Sequence, residues 1–229
     1  QPALQTAGNN VARFDHNPTT GESLGLLIEE SRTNEQTYSQ DLDNAVWNKG
    51  NIDHYADTVI APDGTLTATE FVPNDGNSRL YSHLTTSSDT NYTFSVYAKA
   101  GSGQYLSMRS VGYGTDSTIG FDLVNGTTES GGVITDVGNG WYRCSMTFDT
   151  NGDQAGQPSL YLATTLGGYS GDVNKSYYIW GAQLEEGSFP TSYIKTTGSQ
   201  VTRSADDCEM LNIDQDDWLK QGVGTLYGE

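Results

Sequence analysis

The chain is poor in basic residues, and this scarcity excludes two classes of partner. Lys and Arg number 11 against 29 Asp and Glu, which gives the 229 residues a formal net charge of −18. A surface this negative repels phosphate backbones and anionic lipid headgroups. No apolar run is long enough to span a bilayer either. Nucleic acid and membrane are therefore not expected as partners, whereas neutral sugars and divalent cations are compatible with the charge.

Cysteine and histidine are also scarce. The two cysteines are Cys144, which alternates with apolar residues along a predicted strand, and Cys208, which lies in an acidic segment. Two free thiols are the simpler interpretation, and nothing in the sequence requires a disulfide between them. The histidines, His16, His54 and His83, are too scattered to predict a zinc site.

Helical periodicity is nearly absent, apart from a weak pattern at residues 214–221. The chain instead has 27 Gly and only 17% charged residues, with polar turns such as Asn125-Gly126 between short runs that alternate with a period of two. This pattern predicts an all-β protein, an antiparallel β-sandwich. We predict strands near residues 57–61, 67–72, 78–85, 92–99, 104–111, 117–123, 132–137, 141–149, 158–164 and 176–185.

Three segments are expected. Residues 1–34 form an N-terminal arm whose apolar strand, Leu24 to Ile28, is too short to bury itself alone. Residues 35–197 form the sandwich. Residues 198–229 are acidic and end on the strand-like run Val223 to Tyr227, which either starts a further domain or closes this sandwich. Because the chain begins at Gln1 without a Met, we expect a fragment or a processed piece of a longer protein, and no signal peptide is seen.

Four stretches together carry a family resemblance. They are LGLLIEESRTN (Leu24–Asn34), YTFSVYAKAG (Tyr92–Gly101), GNGWYRCSMTF (Gly138–Phe148) and YYIWGAQLEEGSFPTSYI (Tyr177–Ile194). In them the chain resembles the β-sandwich domains of bacteriophage head-fibre and tail-fibre proteins, which are similar to carbohydrate-binding modules of the concanavalin-like and jelly-roll kind. The resemblance implies a jelly roll, a place on the surface of the virion, glycan binding and assembly as a homotrimer.

Outward aromatic and basic side chains are the candidate glycan-binding residues. If their strands share one sheet, its outer face collects Tyr97, Arg109, Arg143 and Tyr161, with Lys99 beside Tyr97, and Tyr105 and Trp141 nearer the rim. A pyranose ring stacks its C–H face on an aromatic ring, and guanidinium groups pair with hydroxyls or carboxylates. Arginines on an acidic protein favour an anionic sugar. The alternative is ordinary β-propensity for Tyr, with Arg covering a subunit interface.

Two places offer oxygen ligands for a structural Ca²⁺. Asp149, Asn151 and Asp153 alternate as in a calcium loop, and jelly-roll binding modules often hold Ca²⁺ where the first and last strands meet, here Asp41 or Asp43 with Glu185 or Glu186. A turn rich in Asp, Asn and Gly is also common for backbone reasons alone.

Catalytic patterns are weak. The Tyr97–Gly101 stretch is similar to a strand of jelly-roll alginate lyases, but the spacing after Gly101 differs and the Gln-x-His motif is absent. Arg79, Tyr81 and His83 alternate on one strand and could serve such a lyase. We predict no enzyme, but a carbohydrate-binding domain of a phage structural protein. The alternatives are a binding module attached to a polysaccharide-degrading enzyme, a spacer or oligomerisation domain and, least favoured, a lyase.

Overall fold

The computed structural model describes residues 4–5, 7–8, 11–18, 20–114, 116–152 and 155–207. Within these ranges regular structure is entirely β, and no helix is long and apolar enough to cross a membrane. Cys208, residues 214–221 and the Val223 to Tyr227 run lie outside the described residues. The strands are β1 Phe14–His16, β2 Ser23–Leu26, β3 Arg32–Asn34, β4 Asn48–Gly50, β5 Ile52–Ile60, β6 Leu66–Pro73, β7 Arg79–Tyr81, β8 Leu84–Thr85, β9 Asn91–Ala100, β10 Tyr105–Val111, β11 Thr118–Asp122, β12 Thr127–Thr128, β13 Gly132–Gly138, β14 Trp141–Asp149, β15 Ala155–Ala163, β16 Tyr177–Glu186 and β17 Val201–Arg203.

Two antiparallel sheets form the sandwich, so the predicted fold class is confirmed. The front sheet has the order β12-β11-β10-β15-β7-β4, with β8 also paired to β15, and the back sheet has the order β13-β14-β9-β16-β6-β5. The chain passes repeatedly from one sheet to the other: β9 lies in the back sheet, β10 to β12 in the front, β13 and β14 in the back again. These crossings bring together strands that are distant in sequence.

The main core lies between the sheets. It takes alternate residues from the central strands, among them Leu106 and Met108 of β10, Leu160 and Leu162 of β15, Phe94 and Val96 of β9, and Cys144 and Met146 of β14. Cys144 is therefore on the apolar face, as its alternation predicts, and burial raises the pKa of its thiol. Because side chains alternate across a strand, the intervening residues point away from this core.

Strand β16 departs from the predicted alternation. The sequence predicts one face with Tyr178, Trp180, Ala182 and Leu184, but the register shifts between Trp180 and Gln183, and Gly181 has a φ of 64°. This bulge adds one residue, so Ala182 and Leu184 join the main core with Tyr177 and Ile179. The predicted single face is wrong beyond Trp180 because an inserted residue exchanges the two faces.

The side chain of Asn34 forms hydrogen bonds with the backbone groups beside the bulge. The fully buried side chain donates from Nδ2 to the carbonyls of Ala182 (3.3 Å) and Ile194 (2.8 Å), and its Oδ1 accepts from the backbone N–H groups of Gln36 and Leu184, both at 3.1 Å. All four backbone groups are thereby paired away from water, as buried polar groups require.

A strap formed by residues 187–197 closes the outer side of the back sheet. Under it lies a second apolar cluster of Ala61, Ala68, Tyr97, Trp141 and Trp180, against which Tyr193 of the strap packs. The ring of Tyr193 lies 4.6 Å from that of Trp180, centroid to centroid, and the Tyr193 hydroxyl is 2.6 Å from Ser39 Oγ. The centre of the outer face of the back sheet is therefore buried, whereas the edge strand β5 stays largely exposed.

The N-terminal arm is held by a charged tether. Arg13 forms ion pairs with Glu29 and Asp206, and Arg203 lies 3.1 Å from Glu29. Strand β3, in the predicted arm, pairs with β17, in the predicted C-terminal segment. Apart from these links, the β1–β2 hairpin and its flanks leave several apolar side chains exposed: Val11, Phe14, Leu24, Leu26 and Ile28.

Acidification is expected to release the arm. Burial alone would raise the pKa of Glu29, but hydrogen bonds donated by Ser192 and the charges of Arg203 and Arg13 lower it; the pKa of Asp206 is lowered first by the backbone N–H of Glu29. A carboxyl group whose pKa is lower in the folded than in the unfolded protein stabilises the folded state fully above about pH 5. It loses this contribution as the pH falls through its folded-state pKa. Heteronuclear NOE values of β1 and β2 should fall on acidification, while those of β9 stay high.

The matched control for this titration is Glu29→Gln, which cannot ionise. It should show the mobile hairpin already at neutral pH, with a smaller further change on acidification. A hairpin equally rigid at pH 7 and pH 3 in the unsubstituted protein would contradict the role of the tether.

Candidate functional site

The predicted glycan-binding residues divide between the two sheets. The condition for a single face, that their strands share a sheet, is wrong, because β10 pairs with β15 in the front sheet while β14 pairs with β9 in the back sheet. The back sheet carries Tyr97, Lys99, Trp141 and Arg143, and the front sheet carries Tyr105, Arg109 and Tyr161. The outward sides of the two sheets lie on opposite sides of the sandwich.

The back-sheet members are engaged inside the protein. Tyr97 and Trp141 are each 2% exposed, and the indole N–H of Trp141 donates to the Ile60 carbonyl. The Arg143 guanidinium donates to Thr191 of the strap (2.6 Å) and to Ser95 Oγ (3.0 Å), and Lys99 donates to the Asn139 carbonyl. These groups fasten the strap and its surroundings.

The outward side of the front sheet, which we call the front face, is partly open: Arg79, Tyr81 and Arg109 are half-buried, while Tyr161, Ser107 and Ser159 are buried. It consists of the outward side chains of β7, β15, β10 and β11, arranged in rows by the strand register. One row runs Arg79, Tyr161, Ser107 and Gly120, and the next runs Tyr81, Ser159, Arg109 and Thr118. Beyond these rows, at the end of the front face, lies an open depression of about 210 Å³. It is lined by residues that include His83, Val111, Gly112, Gly156 and Gln157.

A loop of residues 164–171 adds an aromatic side chain to one end of this face. Tyr169 is 44% exposed; its ring centroid is 5.3 Å from that of Tyr161, and its hydroxyl lies 2.8 Å from Thr118 Oγ1. The loop can come this close because Gly120 has no side chain: a Cβ there would lie 2.9 Å from the Gly167 Cα. Tyr169 thus extends the front face outward from the sheet.

Arg79 lies between two tyrosines. Its Nη1 donates to the Tyr161 hydroxyl at 3.3 Å, and its guanidinium carbon is 4.5 Å from the centroid of the Tyr81 ring. The hydrogen bond to Tyr161 raises the pKa of Arg79 above its ordinary value. The ring of Tyr81 in turn meets that of His83, an exposed residue, edge-on at 5.5 Å.

Arg109 is the second cation of the front face. Its Nη2 lies 2.7 Å from Asp116 Oδ2, and its guanidinium carbon is 5.2 Å from the centroid of the Tyr169 ring. The Arg109 Nε and the hydroxyl of neighbouring Ser107 are buried without a hydrogen-bond partner. Such unpaired polar atoms are uncommon in folded proteins. Among the described residues, Arg143 Nε, Thr191 Oγ1 and Arg203 Nε are unpaired in the same way outside this face.

The predicted calcium ligands have protein partners. The carboxylate of Glu185, fully buried, accepts from Gln183 and from the Thr191 N–H, Asp43 pairs with His54, and Asp149 accepts from the Asn151 N–H. Asp153 lies outside the described residues. Among the residues that are described, including Asp41 and Glu186, no three His, Cys, Asp or Glu side chains lie together as metal ligands. Calcium binding stays a prediction.

Sequence reasoning identified only part of the front face. It placed Tyr161 and Arg109 correctly away from the core, and it noted the alternation of Arg79, Tyr81 and His83 but connected it with a lyase. Nothing in the sequence marks Tyr169, because it lies in a loop whose position depends on contacts with Gly120 and Thr118.

No family model matches the chain, and no curated protein matches it. Similar solved structures include TmCBM61 in complex with β-1,4-galactotriose (10% identity, 67% of this chain and 99% of that chain, TM-score 0.44). A second is the CBM22-1 xylan-binding domain of Paenibacillus barcinonensis Xyn10C (13% identity, 72% of this chain and 97% of that chain, TM-score 0.39). A third is the enzymatically active domain of bacteriophage CBA120 tailspike protein 4 (9% identity, 67% of this chain and 21% of that chain, TM-score 0.43).

These similarities concern the fold. The β-sandwich that the resemblance implies is present in the two sheets described above. The match to carbohydrate-binding modules, with TM-scores of only 0.44 and 0.39, carries no argument beyond this, and a phage origin stays a prediction. At such identities a shared fold carries no ligand and no activity from one protein to another.

Proposed function

We propose that this protein is a non-catalytic carbohydrate-binding domain whose glycan lies on the front face. One observation carries the proposal: of the two outward sheet faces, the back one is closed by the chain's own strap, and the front one displays aromatic rings, guanidinium groups and an amide in register. The groups at the surface are Tyr81, Tyr169, Arg79, Arg109 and Gln157. Tyr161 is only 3% exposed and contacts Arg79 and Tyr169 from beneath.

The chemistry of these groups suits a sugar. The rings of Tyr81 and Tyr169 can stack on the C–H faces of pyranose units, and the Gln157 amide and the arginines can pair with hydroxyl groups. The rings are preorganised by contacts within the protein, Tyr81 with Arg79 and Tyr169 with Thr118. Preorganisation lowers the entropic cost of binding.

The setting of this domain is part of the same proposal. The sequence resemblance favours a capsid or tail fibre on a phage particle, where the domain would bind glycans of the host or its surroundings. A binding module attached to a polysaccharide-degrading enzyme would use the same face in the same manner.

Tyr81→Ala and Tyr169→Ala are each expected to weaken binding to the best ligand of a glycan array by about tenfold, since stacking on an aromatic ring contributes roughly 0.5–1.5 kcal/mol beyond the buried area. The matched control is Tyr55→Ala, which removes a tyrosine that is 53% exposed on the back sheet. The affinity of the Tyr55→Ala variant for the same glycan should equal that of the unsubstituted protein. Running the array with and without Ca²⁺ tests the predicted cation.

A second candidate, a spacer or homotrimerisation domain, is favoured by the exposed apolar residues of the arm, such as Phe14 and Leu24. The array separates the two candidates. A folded protein that binds no glycan would reject the binding proposal and favour the spacer. Binding that survives both Tyr81→Ala and Tyr169→Ala would place the glycan elsewhere on the molecule.

A further inference from the structure

We infer that the front face is specific for glycans that carry carboxylate groups, and that Arg79 is the side chain that recognises the carboxylate. The inference rests on the proposed function and adds the substrate class. It comes from the distribution of charge over the two sheets and from the contacts of one guanidinium group.

The centre of the front sheet is free of acidic residues, although the whole chain has 29. Strands β7, β10 and β15 contain no Asp or Glu, and their outward positions include both Arg79 and Arg109. In the back sheet every strand except β9 contains at least one Asp or Glu. The central strands of the front face thus form a local strip with two cations and no carboxylate of its own. The carboxylates at its margin are Asp116, which pairs with Arg109, and Asp122 at the end of β11.

Arg79 is the member of this strip that has no counter-ion. Within the described part of the chain, Arg13, Arg32, Arg109 and Arg203 each form an ion pair, whereas Arg79 and Arg143 form none. Arg143 donates its hydrogen bonds beneath the strap. The contacts of Arg79 are with the side chains of two tyrosines, so its half-buried guanidinium group keeps several N–H donors for a ligand.

The position of the guanidinium group favours a carboxylate. Tyr161 and Tyr81 hold the planar group from two sides, and a fixed guanidinium fork matches a carboxylate with two parallel hydrogen bonds. A hydroxyl group alone would not balance the charge. Stacking on Tyr81 beside this cation would place a uronic acid ring with its carboxylate toward Arg79.

The net charge of −18 acts against this ligand at long range. Repulsion between a polyanion and distant acidic residues is screened beyond about 10 Å at 0.1 M salt, whereas a direct guanidinium–carboxylate contact is screened less. Binding of the acidic glycan should therefore survive moderate salt.

The experiment compares each acidic glycan with its own methyl ester, which keeps the backbone and removes the charge. Oligogalacturonate, oligoalginate and hyaluronan oligosaccharides are titrated calorimetrically in 0.1 M salt. At least one acid should bind about tenfold more tightly than its ester, which corresponds to about 1.4 kcal/mol. Arg79→Gln should reduce that ratio below twofold, because it removes the carboxylate contact from the acid alone, whereas any loss of hydroxyl contacts or of Tyr81 preorganisation affects acid and ester equally. Arg79→Lys should keep part of the preference.

The matched control is Lys175→Gln, which makes the same change of charge at an exposed loop position and should leave the ratio unchanged. Esters that bind as tightly as every acid, or a preference for sulfated glycans alone, would overturn the inference and leave the proposed function standing. No binding to any glycan, from variants with unchanged circular dichroism, would reject both. An ultraviolet absorbance of unsaturated products would show that the face cleaves the polyuronate instead of only binding it.

Discussion

Trp180→Ala is expected to lower the free energy of unfolding by about 3–5 kcal/mol, the usual cost of truncating a buried Trp or Phe. The Trp180 side chain is fully buried between the back sheet and the strap, its ring centroid 5.4 Å from that of Tyr97 and 4.6 Å from that of Tyr193. Its Nε1 also donates to Thr67 Oγ1 at 2.9 Å. Since a domain is stable by only about 5–15 kcal/mol, urea denaturation followed by circular dichroism should show a large shift of the midpoint.

Two variants calibrate this loss. Trp180→Phe keeps an aromatic ring and removes the N–H donor, so it should cost clearly less than the Ala variant. Tyr55→Ala removes an aromatic side chain from an exposed position of the same sheet and should change stability by about 0.5 kcal/mol or less. If Trp180→Ala were as mild as Tyr55→Ala, the strap would not seal the back sheet, and Tyr97 and Arg143 would return as candidates for ligand binding.

Asn34→Ala is expected to destabilise the protein by about 3 kcal/mol or more, because it leaves buried backbone groups unpaired at about 1–3 kcal/mol each. The groups affected are the carbonyls of Ala182 and Ile194 and the N–H groups of Gln36 and Leu184. The substitution therefore acts on the β16 bulge and the strap together. The same urea titration measures it.

Asn77→Ala is the matched control, since Asn77 is exposed and the hydrogen bond that it accepts from Asn51 uses its backbone carbonyl. It should leave the midpoint unchanged. Asn34→Asp keeps the two accepted hydrogen bonds and loses the two donated ones. A stability equal to that of the unsubstituted protein for Asn34→Ala would mean that water replaces the amide at no cost, contrary to the role assigned to it.

The strands themselves follow from the sequence. Each predicted strand overlaps an observed one, because alternation of apolar and polar residues reports burial of one face directly. The outward direction of Tyr97, Arg109 and Tyr161 was predictable for the same reason. The short strands β1, β3, β4, β12 and β17 were not predicted, since two or three residues are too few to show a period.

What alternation cannot report is which strands are neighbours and what covers their outer side. Tyr97 and Tyr161 have equivalent patterns, yet one lies under the strap and the other on the front face. The difference arises from contacts made by distant residues, Tyr193 in one case and Tyr169 in the other. The shift of face in β16 depends on one glycine with positive φ, a choice that a single sequence does not reveal.

The pairing of β3 with β17 has a mechanical consequence. The two strands are antiparallel, and the pair Arg32 and Arg203 is the rung farthest from the sandwich, where the chain enters and leaves it. Tension applied to both ends of the chain would first separate the contacts of Asp206 with Glu29 and Arg13, and would then load the rungs one after another, so that the ladder unzips instead of resisting as a unit. The sandwich would bear force only after this neck had separated, and a glycan held on the front face would stay bound to an undeformed sheet while the neck yields.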